Sequence, residues 1–147
     1  MGESLDLFGI IKDRTDIKDI DIHNYSPLTL AYIGDGVYEL IIRSMVVCKA
    51  NTSAKNLHKL SSSLVKAATQ AEMIQALSEN LTEEEMKVYK RGRNAKSATM
   101  AKNATMSDYR SATGFEALIG YLYLTEQSDR MIELIRIGLE KVGKEVK

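Results

Sequence analysis

One proline, Pro27, stands in a chain of 147 residues, and apolar and polar residues almost nowhere alternate with the period of two that a core-facing strand needs. Apolar residues instead recur at three- and four-residue spacings, so the pattern predicts an all-α, purely helical domain. Ser26 before Pro27 reads as an N-cap and first-turn pair, because proline lacks the N–H that would be orphaned there. The helix it opens runs through Leu30, Ile33, Val37, Leu40 and Ile41 to about Val47. A short second helix is expected from Ser53 to about Leu60. A third, over residues 61–77, brings Leu64, Ala67, Ala68, Ala71, Ile74 and Leu77 near one face. Thr82 and Glu85 have the spacing of a capping box, and the helix they open is expected to end near Arg91 with Gly92 as its C-cap. Ser107 is placed to cap a helix over 107–124, and Ser128 to cap the last. Residues 26–147 thus form the patterned domain. Residues 1–25 form an N-terminal arm of unfixed structure, in which Ile17, Ile20 and Ile22 suit a short helix or an extended segment alike.

Hydrophobic residues make up 44 % of the chain and charged residues 27 %, which excludes a disordered or fibrous protein and leaves enough length for a core. No apolar run is long enough to span a bilayer and no start resembles a signal peptide, so no membrane association and a cytoplasmic location are expected. Cys48 is the single cysteine. A disulfide within the chain is excluded, and a place at the end of an apolar helix suggests packing rather than reactivity. Twenty basic residues cancel twenty acidic ones, but their distribution is uneven. From Lys87 to Ser107 there is no acid, while Lys87, Lys90, Arg91, Arg93, Lys96 and Lys102 all fall there. Such a segment is often only a solvated loop. Its length between two ordered helices favours a polyanion-binding segment instead. Met100 and Met106 read as flexible filler within it.

The stretch AYIGDGVYEL, residues 31–40, sets Asp35 between Gly34 and Gly36 inside a helical pattern. Each interior glycine costs about 1 kcal/mol against alanine, and a buried carboxylate is costly unless paired or metal-bound. The helix over 107–124 repeats the combination, with Glu116 between Gly114 and Gly120 among apolar neighbours. Interior glycines mark close approach of a helix or a ligand. Two such helices could cross so that Asp35 and Glu116 face each other, which requires a cation or a shared proton to relieve the repulsion. Magnesium suits two carboxylates, since it fills its remaining positions with water and phosphate. The other reading is that both acids lie on the surface, with Asp35 pairing with Arg43. Glu39 is better placed for a helical salt bridge with Arg43 than for the site. The residues alone leave both readings open.

IGDGVYEL together with FEALIGYLYL resembles the ribonuclease III catalytic domain over about Leu28 to Leu134. That family has a glycine–aspartate pair on one helix and a glutamate before Ala-Leu-Ile-Gly on a later one. YKRGRNAKSAT, with no double-stranded-RNA-binding domain in the chain, is similar to the Mini-III subgroup. Carried over residue by residue, Asp35 and Glu116 fall on two of the family's four metal-site acids. Ala31 and Thr113 stand where the other two are usually found, a loss that also fits Mini-III.

The resemblance implies a homodimeric ribonuclease III-like endonuclease that hydrolyses double-stranded RNA and leaves 5′-phosphate ends. Asp35 and Glu116 would be catalytic and would hold Mg2+, with Mn2+ as an alternative. It further implies maturation of large-subunit ribosomal RNA as the role. No histidine, serine or cysteine nucleophile is needed, so His23 and His58 are expected to be structural or surface residues. Arg91, Arg93, Asn94, Lys96 and Lys102 would contact RNA, whose A-form helix is read through shape, phosphates and 2′-hydroxyls. The alternative is a catalytically inactive RNA- or ribosome-binding protein of the same fold, suggested by the acids absent at Ala31 and Thr113.

Overall fold

The computed structural model describes residues 6–19, 21–96 and 105–144, and every regular element among them is helical. In chain order these are α1 (Leu7–Thr15), α2 (Pro27–Lys49), α3 (Ala54–Val65), α4 (Ala67–Ala76), α5 (Glu83–Asn94), α6 (Met106–Leu124) and α7 (Ser128–Lys141). Short 3₁₀ turns occupy Ile22–Asn24 and Ser78–Asn80.

Helix α6 is the axis of the domain. It packs against α2, α4, α5 and α7, and Phe115, Leu118, Ile119 and Leu122 on it are fully buried. Ile42 from α2, Met73 from α4 and Leu134 from α7 close the core around it. Tyr38 of α2 meets Phe115 edge-on, with ring centroids 5.4 Å apart, a favoured aromatic geometry.

Ser26 caps α2 by accepting a hydrogen bond from the Thr29 N–H at 3.2 Å, as the Ser-Pro pair predicts. The Thr82–Glu85 capping box forms with both of its hydrogen bonds. Glu85 does more than cap: its buried carboxylate takes two 2.8 Å hydrogen bonds from Arg130, which tie the start of α5 to α7.

Several helix boundaries differ from the sequence expectation. The second helix does not stop near Leu60 but runs to Val65, and the break falls at Lys66, whose ψ of 154° is extended. Ser61, Ser62 and Ser63 sit inside α3 because their hydroxyls donate back to Leu57, His58 and Leu60 carbonyls instead of capping a new helix. The carbonyls this break exposes are met by side chains: Thr69 donates to Ser63, Tyr38 to Leu64 and Gln70 to Val65. Gly92 is not a C-cap. It is buried inside α5, where a Cβ would lie 2.7 Å from that of Ala117 and 2.9 Å from the Gly114 Cα. The glycine is there so that α5 can lie against α6.

Helix α6 begins one residue earlier than expected, capped by Thr105 rather than Ser107. Ser128 is the first residue of α7, and its hydroxyl bonds the Asp6 carboxylate instead of capping. The described part of the N-terminal arm contains α1, which docks on the α6–α7 corner through Phe8 against Tyr123 and Lys12 against Glu126.

Candidate active site: two carboxylates at a glycine crossing

Helices α2 and α6 cross backbone to backbone. A Cβ placed on Gly34 would lie 1.8 Å from the Glu116 carbonyl oxygen, and one on Gly120 would lie 2.0 Å from that of Leu30. No side chain fits at either point, so the crossing requires glycine from both helices. Of the two glycines flanking Asp35 only Gly34 serves the crossing, since a Cβ on Gly36 would meet nothing within 4 Å. Gly114 belongs to a separate contact, against Tyr89 of α5.

The crossing sets the Asp35 side chain against that of Glu116. Asp35 lies at the exposed edge of α2, whereas Glu116 is largely enclosed. Burial first, then repulsion from Asp35 and a hydrogen bond shared with it, push the Glu116 carboxyl from its usual 4.5 up to about 8. A hydrogen bond from Gln70 Nε2 to Glu116 Oε2, at 3.4 Å, acts the other way. In the cation-free protein Glu116 thus keeps its proton at neutral pH, one of the two ways a facing pair of carboxylates is relieved.

Ala31 is buried, and the Thr113 hydroxyl donates back to the Tyr109 carbonyl of its own helix at 2.9 Å. Among the described residues no group of three or more His, Cys, Asp or Glu side chains is gathered to hold a metal. The donor set is two hard carboxylate oxygen ligands, one of them at an open edge. That suits a magnesium-like ion that keeps several positions for water and phosphate. Glu39 turns away and pairs with Arg43 at 3.6 Å.

Of the residues expected to contact RNA, Arg91, Asn94 and Lys96 are exposed at the end of α5, and Lys102, like Met100, lies outside the described residues. Arg93 sits over the Tyr89 ring, 5.6 Å from its centroid, and its Nε donates to the Asn94 side chain at 3.2 Å. A cleft of about 370 Å³ gathers Arg93 and Asn94 with Met106, Ser107, Arg110 and Ser111. Arg110 escaped sequence reasoning because it follows Asp108 inside the next helix, outside the acid-free run. Gln70 escaped it as well, since a glutamine among alanines carries no periodic signal. His23 and His58 are exposed, as expected. Cys48 is exposed rather than packed, because Val46 takes the inward position at that turn of α2.

The ribonuclease III domain model matches residues 28–127. A Mini-ribonuclease 3 of Enterococcus faecalis is 49 % identical over 126 residues, spanning 84 % of this chain and 96 % of that one. One from Clostridium tetani is 49 % identical over 118 residues, spanning 80 % and 78 % of the two chains. A crystal structure of a protein from Fusobacterium nucleatum superposes with a TM-score of 0.75 at 31 % identity, over 83 % of this chain and 98 % of that one. The chain belongs to the ribonuclease III family, in its Mini-III branch.

Proposed function

We propose that this protein is a metal-dependent endoribonuclease that cuts double-stranded RNA at the Asp35–Glu116 pair, in the cytoplasm, on a ribosomal RNA precursor. The observation that carries the reading is the glycine crossing, which brings two carboxylates together at an open edge where a shared proton or a cation would relieve them. No helix among the described residues is long and apolar enough to cross a membrane.

Asp35 and Glu116 would hold Mg2+ or Mn2+, and such an ion, when bound, polarises a phosphate and lowers the pKa of a water beside it. The chain's own part is positional. The backbone contact at Gly34 and Gly120 fixes the separation of the two acids, and Glu116 must release its proton before both oxygens serve a cation. Arg91, Arg93, Lys96 and Lys102 supply charge for phosphates and Asn94 a hydrogen-bonding side chain. Arg110 extends that basic surface into the cleft. Arg93, already set on the Tyr89 ring, loses less freedom on binding than a free side chain would.

A second copy of the chain is the partner in this reading. On α2, Leu28, Tyr32, Leu40 and Val47 are exposed at helical spacing around the open Gly36, and Tyr32 is 83 % exposed. An apolar stripe of this kind beside the acidic pair is what a symmetric interface through α2 would cover.

The test is cleavage of a labelled RNA duplex with magnesium by wild type, Asp35→Asn and Glu116→Gln. Cutting by wild type alone, with both variants still binding duplex, supports the reading. Binding without cutting in magnesium or manganese would refute it and favour the inactive RNA-binding protein, for which the substitutions at Ala31 and Thr113 would be responsible.

A further inference from the structure

The buried amide of Gln70 has more hydrogen-bonding capacity than its place in the fold uses. Gln70 is 2 % exposed in α4, and its Nε2 donates to the Val65 carbonyl at 2.8 Å and toward Glu116 Oε2 at 3.4 Å. Its Oε1 is enclosed and has no hydrogen-bond partner, alone in that respect among buried side-chain atoms of the described residues. The amide cannot be turned over to help, because the Val65 carbonyl only accepts and must face the nitrogen. Closing the end of α3 at Val65 needs one N–H. The second N–H and Oε1 are surplus to that task, and the amide that carries them contacts Glu116 of the carboxylate pair. A buried acceptor with no donor is rare in folded proteins and calls for a water or an ion at that point.

We infer that Gln70 is a positioning residue of the cation site: its N–H orients the Glu116 carboxylate, and its Oε1 accepts a hydrogen bond from water held there with the cation. The inference rests on the metal-site reading above. Gln70 then acts as a neutral third member of a site that has only two acids. Outer groups that orient metal ligands typically change metal affinity by ten- to a hundredfold when removed.

Titration calorimetry with Mn2+, without RNA, tests this on the full chain. Gln70→Leu keeps the volume and removes both polar halves. It should weaken Mn2+ binding about tenfold or more and lower activity on duplex RNA in step, with the activity regained as Mn2+ is raised. Gln70→Glu keeps an acceptor in the same place and adds charge. It should bind Mn2+ more tightly than wild type and melt lower without metal, with the loss regained when Mn2+ is added. Should the leucine variant fail to fold, the glutamate variant decides alone. Wild-type Mn2+ affinity in either variant, or weaker binding by Gln70→Glu, overturns the assignment and leaves the metal reading intact. A wild-type protein that takes up no Mn2+ overturns both.

Discussion

Replacing Glu116 with glutamine should make the metal-free protein more stable, and by an amount that grows with pH. The folded chain holds the Glu116 proton up to about 8, whereas the unfolded chain releases it near 4.5. Folding therefore takes up a proton between those values. Stability falls as pH rises through that window and levels off above its upper end. A pKa difference of this size, at 1.36 kcal/mol per unit, corresponds to roughly 5 kcal/mol across the whole window and to about 3 kcal/mol between pH 5 and pH 8. Glutamine has the same shape and no charge, so the variant escapes this cost while all other titrating groups remain.

The assay is differential scanning calorimetry of both proteins in chelator from pH 5 to pH 8.5, at one protein concentration because association would shift the midpoint. With about 2–4 °C per kcal/mol for a chain of this size, the gap between variant and wild type should widen by roughly 6–12 °C. Magnesium should then narrow the gap by stabilising wild type more than the variant, which lacks the second carboxylate. A gap that stays constant across the pH range would refute the reasoning. It would mean that Glu116 ionises like an exposed acid, and that the crossing does not force it against Asp35.

Four further substitutions test the packing and the partners, and a salt series tests the basic surface. Gly34→Ala places a methyl group against the Glu116 backbone and should cost about 3 kcal/mol, as severe overpacking does. Gly36→Ala meets open space within the chain and should gain up to about 1 kcal/mol of helix propensity in denaturant melts, provided dimerisation is unaffected. Equal effects from the two would contradict the crossing. Arg130→Met leaves the buried Glu85 carboxylate unpaired and should destabilise by about 3 kcal/mol at neutral pH. Arg130 holds that carboxyl below its ordinary value, so the loss should shrink as pH falls through the carboxylate range, and a pH-independent loss would speak against the ion pair. Leu40→Glu, on the exposed stripe of α2, should give a monomer in sedimentation equilibrium and wild type should give a dimer; a variant dimer would exclude this face. Duplex binding by Asp35→Asn should weaken steeply between 50 and 200 mM salt, with a shallower slope once Arg110 is replaced by alanine. Salt-insensitive binding would remove the basic surface from the mechanism.

The parts of this fold that can be read along the chain are those set by local chemistry. Ser26 with Pro27 and Thr82 with Glu85 fix helix starts through their own hydrogen bonds, and both start where the pattern puts them. The glycines around the two acids signalled a close crossing, yet the pattern gave Gly34 and Gly36 one role where the structure gives it to Gly34 alone. Which face of α2 meets α6 is a tertiary fact. The same holds for Gly92, which has the composition of a helix end and the position of a helix contact. The break at Lys66 was invisible because its stabilising groups are Tyr38, Thr69 and Gln70, and Tyr38 lies more than twenty residues away. The serines at 61–63, expected to open a third helix, instead bond backward within α3. Arg110 joins Arg93 only once α5 and α6 are packed side by side.

The break at Lys66 also sets a neutral amide beside the two acids of the proposed site. If α3 and α4 were one straight helix, Gln70 would satisfy no exposed carbonyl at Val65, and its side chain would have no anchor beside Glu116. Adding a third acid at Ala31 or Thr113 would confront a pair in which Glu116 already keeps its proton at neutral pH for lack of compensation. A neutral amide adds hydrogen bonding without adding charge. With only two carboxylates from the protein, a cation at the site would rely on water and RNA phosphate for its other contacts. Cation and RNA would then each strengthen the binding of the other by the same factor. On this reasoning the loss of two acids moves part of the metal's coordination onto the substrate, and the cation is held most firmly when there is a phosphate to act on.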